Sequence, residues 1–139
     1  MNGKTINRFF LTLQVIILIT YVNLVLGRIN FQKLVICLRP ADFRVENNSN
    51  ELRDKIFSFV YKVLYTSLFG YLIFRPTCLK KSLVLYRIFR LYGFPVELNI
   101  GVKKVHGNLE AHSWISYRKL PIYEKDDILS EYELLYSYA

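Results

Sequence analysis

Cysteine is scarce in this chain: Cys37 and Cys78 are the only two in 139 residues, and they lie in dissimilar surroundings. A chain of this length without a cysteine framework reads as a protein of a reduced, intracellular compartment, and one disulfide is the most that two cysteines allow. Histidine is equally sparse. His106 and His112 stand at spacings to the cysteines that match no zinc pattern, and no glycine-rich phosphate loop occurs, so neither a metal nor a nucleotide cofactor is expected. With 6 glycines and 4 prolines the chain is neither low-complexity nor disordered, and no segment repeats at the periods of solenoids. Negative charge is thin as well. Against 19 basic residues there are 11 acidic ones, a net charge of +8, which suits nucleic acid, an anionic membrane surface or an acidic peptide if it is more than a solvated basic surface.

What is abundant is apolar and aromatic, with 11 tyrosines and 10 phenylalanines. That is enough for one domain over residues 1–139 with a modest core and no second folded unit. Its first part, residues 1–38, reads as an apolar helical N-terminal extension. Phe9 to Leu26 is an apolar run of 18 residues broken only by Thr12, Gln14, Thr20 and Asn23, about 27 Å long as a helix. We read it as a buried or interface-lying helix in preference to a membrane span or a signal peptide: it is near the lower limit for crossing a bilayer, long for a signal, and followed by no small-x-small cleavage site. Lys4 and Arg8 before it and Arg28 and Lys33 after it give no orientation. A short apolar piece, Phe31 to Leu38, follows Gly27, and the apolar neighbours of Cys37 there suggest an inert core thiol.

Arg39 to Asn50 is polar, contains Pro40 and reads as a linker. A helix is expected from near Asn48, with Glu51 as capping-box acceptor. Leu52, Ile56, Phe59, Val60 and Val63 form its core face, and it continues through Tyr65 to Ile73 with Gly70 as a weak point. Pro76 and Thr77 then stop an extended segment, and Thr77 offers an N-cap. Cys78 thus falls in the first turn of a third long helix, which runs to Leu91 or Tyr92 and ends at Gly93-Phe94-Pro95. Unpaired backbone N–H groups and the helix dipole favour a thiolate at such a position, and Lys80 and Lys81 beside it lower a thiol pKa further. Strands are expected at Val96–Val102, Ala111–Tyr117 and Leu120–Tyr123, the last two a hairpin through Arg118-Lys119, with a closing strand over Tyr132–Tyr138. The fold class is therefore α+β: helices, with a central one carrying Cys78, on a small antiparallel sheet carrying His112.

A helix-start cysteine and a strand histidine are the two halves of a Cys–His nucleophilic pair. Cys78 supplies the thiolate and its own N–H an oxyanion donor, while His112 supplies the base. The group that orients the imidazole belongs across the hairpin, where Glu124 lies, with Asp126 and Asp127 in reserve. His106 falls in a polar loop, Lys103–Glu110, and reads as a surface residue.

Arg75-Pro76-Thr77-Cys78-Leu79, Ser82-Leu83, Arg90-Leu91-Tyr92-Gly93-Phe94-Pro95, Leu98-Asn99-Ile100-Gly101-Val102 and Ala111-His112-Ser113-Trp114-Ile115 together resemble the transglutaminase-like cysteine peptidases of lasso peptide biosynthesis. The likeness is to their short stand-alone form, separate from the leader-recognition protein. It implies a papain/transglutaminase-like fold and an enzyme that cuts the leader peptide from a ribosomally made precursor. By position it makes Cys78 the nucleophile and His112 the general base and acid, with Glu124 standing where the family commonly has Asp. Three partners are implied too: the precursor's leader peptide, the small protein that grips it, and a separate ATP-dependent cyclase that joins the freed amine to an acidic side chain. A cytoplasmic location follows, with membrane contact through residues 9–26 as a further expectation. The alternative is a basic membrane-surface or nucleic-acid-binding protein without catalysis, which leaves Cys78 and the His112 strand without a role.

Overall fold

In the computed structural model, residues 6–65 and 77–139 are described. The expected continuation of the second long helix to Ile73, with Gly70, and the Arg75-Pro76 part of the motif lie outside them, as does Lys4.

Helix α1 spans Arg8–Val25, and the Asn7 side chain accepts hydrogen bonds from the N–H groups of Phe9 and Phe10 at its start. Leu11, Val15, Ile19 and Val22 recur at helical spacing and are fully buried. Helix α2, Phe31–Leu38, is capped by Asn30 and turns Leu34, Val35 and Leu38 inward. Cys37 is exposed, against the expectation of a core thiol. It stands roughly 110° around this short helix from the centre of the buried stripe, so apolar sequence neighbours do not cover it.

Helix α3 covers Asn50–Tyr65. Its cap is Ser49, whose Oγ accepts the Leu52 N–H at 3.2 Å. Glu51 does not reach back as a capping-box residue; it pairs with Lys55 at 2.6 Å. Asn48 ties the linker to the core instead, donating to the carbonyl of Tyr92. Ile56, Val60 and Leu64 are the buried positions.

Helix α4, Cys78–Leu91, begins as expected, with Thr77 Oγ1 accepting the Lys80 N–H at 3.3 Å, and ends before Gly93, whose φ of +82° continues no helix. Ser82 to Tyr86, Ile88 and Phe89 are all buried, and α4 packs against α1, α2 and α3 as well as against the sheet. Each fully buried Leu, Ile or Phe in such a layer contributes about 1.5–3 kcal/mol. This wrapping makes α4 the central helix.

The sheet holds β1 (Val96–Val105), β2 (Asn108–Tyr117), β3 (Leu120–Pro121) and β4 (Glu133–Tyr138) in the order β3-β2-β1-β4, with every pairing antiparallel. Helix α5, Asp126–Leu129, lies between β3 and β4. The polar loop expected over Lys103–Glu110 is not there. His106 and Gly107, with φ of 47° and 85°, make a two-residue turn, and the hairpin pairs up to Val105 and Asn108. Two successive left-handed residues match the twist of the flanking strands. His106 is exposed at the tip, as expected. The second hairpin turns at Arg118 and Lys119, both at positive φ. Its third strand has two residues rather than four, because Tyr123 is left-handed, at φ 63°, and turns the chain away.

Gly101 is required for close approach. A Cβ there would lie 2.9 Å from Cη2 of Trp114 and 3.0 Å from the carbonyl of Glu133. Gly101→Ala is therefore expected to destabilise the fold by about 1–3 kcal/mol in chemical denaturation, whereas Gly107→Asn meets no neighbouring atom and carries only the backbone cost of a left-handed position.

Candidate active site

Cys78 is the first residue of α4 and is partly exposed. The first-turn N–H groups point past it, and no acidic residue lies in that turn. This half-open position leaves Sγ accessible to a substrate carbonyl, with backbone N–H donors beside it. The Lys81 side chain is mostly covered, at 18% exposure, rather than solvated, and its Nζ lies 3.5 Å from Oε1 of Glu124.

The other carboxylate oxygen of Glu124, Oε2, lies 3.5 Å from Nε2 of His112. Glu124 thus spans two positive or proton-bearing groups from two elements. Nε2 is buried, and the contact is not aligned as a hydrogen bond. With Nε2 turned to the carboxylate, Nδ1 is the nitrogen left for a thiol. Of the three carboxylates proposed for the orienting role, Glu124 is the one that touches the imidazole; Asp126 and Asp127 are exposed in the first turn of α5. Glu124 comes not from a strand but from the segment after β3, where the Ile122 N–H still donates to Ile115 at 3.1 Å and so keeps the chain beside β2.

Ser82, one turn beyond Cys78 on the same side of α4, donates to the Ser113 carbonyl at 3.1 Å, and the Ser113 hydroxyl meets the Ser82 hydroxyl at 3.2 Å. This buried pair fastens the cysteine helix to the residue next to His112. Strand alternation then sends His112 to the face opposite Ser113, with Trp114. There the imidazole lies nearly parallel to Trp114, with centroids 6.1 Å apart, and 5.4 Å from the ring of Tyr132. The thiol and the imidazole share no hydrogen bond in this arrangement. Such bonds are often long in unliganded enzymes and tighten with substrate.

Tyr123 sets the height of Glu124. Its ring stacks on Phe57 of α3 at 3.6 Å, and its hydroxyl donates to Asp54 at 2.7 Å. Burial, and then the Asp54 carboxylate, push its phenol well above the ordinary range. Tyr65, at the end of α3, is raised by burial and by the neighbouring Tyr61, Cys78 and Glu124, which places it within electrostatic reach of both site residues. Both phenols keep their protons in the fold beyond the ordinary value of about 10. Above that pH the unfolded chain binds fewer protons than the native one, so stability should fall as pH rises. Denaturation at about pH 8 and about pH 11 should show this fall, and Tyr123→Phe should flatten it.

Three of these links were not evident from residue types: the Ser82–Ser113 pair, the Lys81–Glu124 contact and the Tyr123–Asp54 anchor. Only the first had a signal, the four-residue spacing of Cys78 and Ser82. A cavity of about 360 Å³ lined by Asp42, Arg44, Glu46, Arg87 and Arg90 lies at the opposite end of α4 from Cys78 and has no nucleophile in its wall. Among the described residues no cluster of His, Cys, Asp and Glu could hold a metal ion.

A family model described as the transglutaminase-like superfamily matches residues 21–137. No curated protein and no solved structure gives a significant match.

Proposed function

We propose, on the premise that the chain belongs to the transglutaminase-like superfamily, whose members are typically cysteine-peptidase-like, that it removes the leader peptide from a ribosomally made lasso peptide precursor. The observation that carries this reading is the placement of Cys78 at the start of α4, with the partly buried carboxylate of Glu124 3.5 Å from His112 and 3.5 Å from Lys81 on that helix. The motif resemblance narrows the substrate to a leader–core junction.

In this reading His112 takes the thiol proton and Cys78 Sγ attacks the carbonyl carbon of the last leader residue, forming a C–S bond. The N–H of Cys78 steadies the oxyanion, His112 returns the proton to the departing core amine as the C–N bond breaks, and water then hydrolyses the leader thioester. Glu124 holds the imidazole in place, and Lys81 fixes Glu124. The small recognition protein presents the leader, and the cyclase takes up the freed amine.

Mass spectrometry of a candidate precursor incubated with this protein and the recognition protein tests the proposal. Cleavage at the leader–core junction, lost in His112→Ala, is expected; unchanged cleavage in that variant overturns it. Lys81→Met should lower kcat roughly tenfold, a loss of about 1.4 kcal/mol at the transition state, with Lys81→Arg recovering most of it. Equal losses in both would make Lys81 a substrate contact rather than a support for Glu124.

A further inference from the structure

Helix α1 uses one face to fill the core and leaves another open that is just as apolar. Leu11, Val15, Ile19 and Val22 are at most 1% exposed, whereas Phe9 is 73%, Phe10 60%, Ile17 57%, Leu24 55% and Leu13 44% exposed. At 100° per residue, Leu13, Ile17 and Leu24 lie almost diametrically opposite the buried stripe, with Phe9 and Phe10 on either side. A soluble surface does not need a continuous apolar band of this kind.

The polar residues of this helix point to what covers the band. Thr20 lies within it, and its hydroxyl is already bonded to the carbonyl of Ile16 at 2.7 Å; Thr12 bonds that of Arg8 at 2.8 Å. Neither hydroxyl needs water, so the face can enter an apolar phase without an unmet donor. Charge gives the second indication. No Asp or Glu precedes Asp42, while Lys4, Arg8, Arg28, Lys33 and Arg39 do. Arg8 and Arg28 are exposed at the two ends of α1, and Lys33 is exposed in the first turn of α2. Arg8 also sits in a first turn without an acidic residue, where the helix dipole opposes it and an external anion would relieve it.

Among the described residues α1 is the one helix long and apolar enough to cross a bilayer. Crossing would pull its buried stripe out of the core it shares with α3 and α4. An in-plane position satisfies both faces.

We propose that the outer face of α1 seats this protein on an anionic phospholipid surface, with Phe9, Leu13, Ile17 and Leu24 in the acyl boundary and Arg8, Arg28 and Lys33 on the headgroup phosphates. The proposal stands apart from the reaction at Cys78, because none of these residues belongs to the site.

Flotation of the full chain with phosphatidylcholine vesicles, with and without one quarter phosphatidylglycerol, tests it. Binding is expected to the anionic vesicles, weakening at least about tenfold when salt rises from about 0.1 M to about 0.5 M, and weakening at least about tenfold in Phe9→Ser/Ile17→Ser/Leu24→Ser. All three side chains are exposed, so the variant should keep the wild-type melting curve and precursor cleavage. Leu13→Trp, a second readout, should shift its fluorescence to the blue on the same vesicles. Failure to bind anionic vesicles, or equal binding by the triple variant, overturns the proposal. So does a dimer in sedimentation velocity that the triple variant dissociates, since the face would then belong to a second copy.

Discussion

Cys78→Ala should leave the fold intact and lower the rate of precursor cleavage by more than about a thousandfold. The first half of this expectation rests on the position: Cys78 is partly exposed, and alanine is the residue best suited to a helix. Stability should therefore change by no more than about 0.5 kcal/mol. The second half rests on chemistry, since Cys78 carries the one thiol at the site among the described residues. Cys37, on the exposed side of α2, provides the control. Cys37→Ala should cleave at the wild-type rate, and alkylation should inactivate the enzyme through Cys78 alone.

Glu124→Ala should cost about a hundredfold in kcat, and Glu124→Gln distinctly less. Nε2 of His112 is buried and its nearest carboxylate oxygen is that of Glu124, at 3.5 Å, so removing the carboxylate takes away the group that this nitrogen faces and frees the imidazole to turn between Trp114 and Tyr132. Glutamine still presents an oxygen to that nitrogen but brings no charge to the imidazolium. A Gln variant as slow as the Ala variant would show that the charge is what matters. An Ala variant at wild-type rate would remove Glu124 from the machinery altogether. Because Lys81 also rests on Glu124, Lys81→Met and Glu124→Ala should be less than additive when combined.

The ends of α4, its central place and the hairpin through Arg118-Lys119 follow from local rules that the residues display openly. Thr77 before Cys78 and Gly93 after Leu91 bracket the helix, and the α+β arrangement with Cys78 on a helix and His112 on a strand stands. What failed did so where a rule admits more than one residue. Ser49, not Asn48, caps α3, since both can accept the N–H and only the packing of Asn48 against Tyr92 decides between them. His106-Gly107 closes a tight turn that a stretch of polar residues disguised as a loop. Cys37 shows that apolar neighbours in sequence are not neighbours in space on a helix of eight residues.

The positions of the candidate site residues were legible to the extent that local pattern fixes each one. Cys78 at a helix start and His112 on a strand are of that kind. The choice among Glu124, Asp126 and Asp127 was not, because it depends on Tyr123, whose stacking on Phe57 and bond to Asp54 fix where the chain after β3 runs. A carboxylate one residue beyond that anchor reaches His112; those two and three residues further on open α5 into solvent. Nothing in the charge or type of these three residues encodes that difference.

The measurement that bears most directly on the account is peptide mass mapping of the protein quenched by acid during turnover of a precursor in the presence of the recognition protein. The leader is expected as a thioester on Cys78, chased by water into free leader and absent from Cys78→Ala. Precursor cleavage that proceeds with no adduct on Cys78, or with undiminished rate in Cys78→Ala, would contradict it.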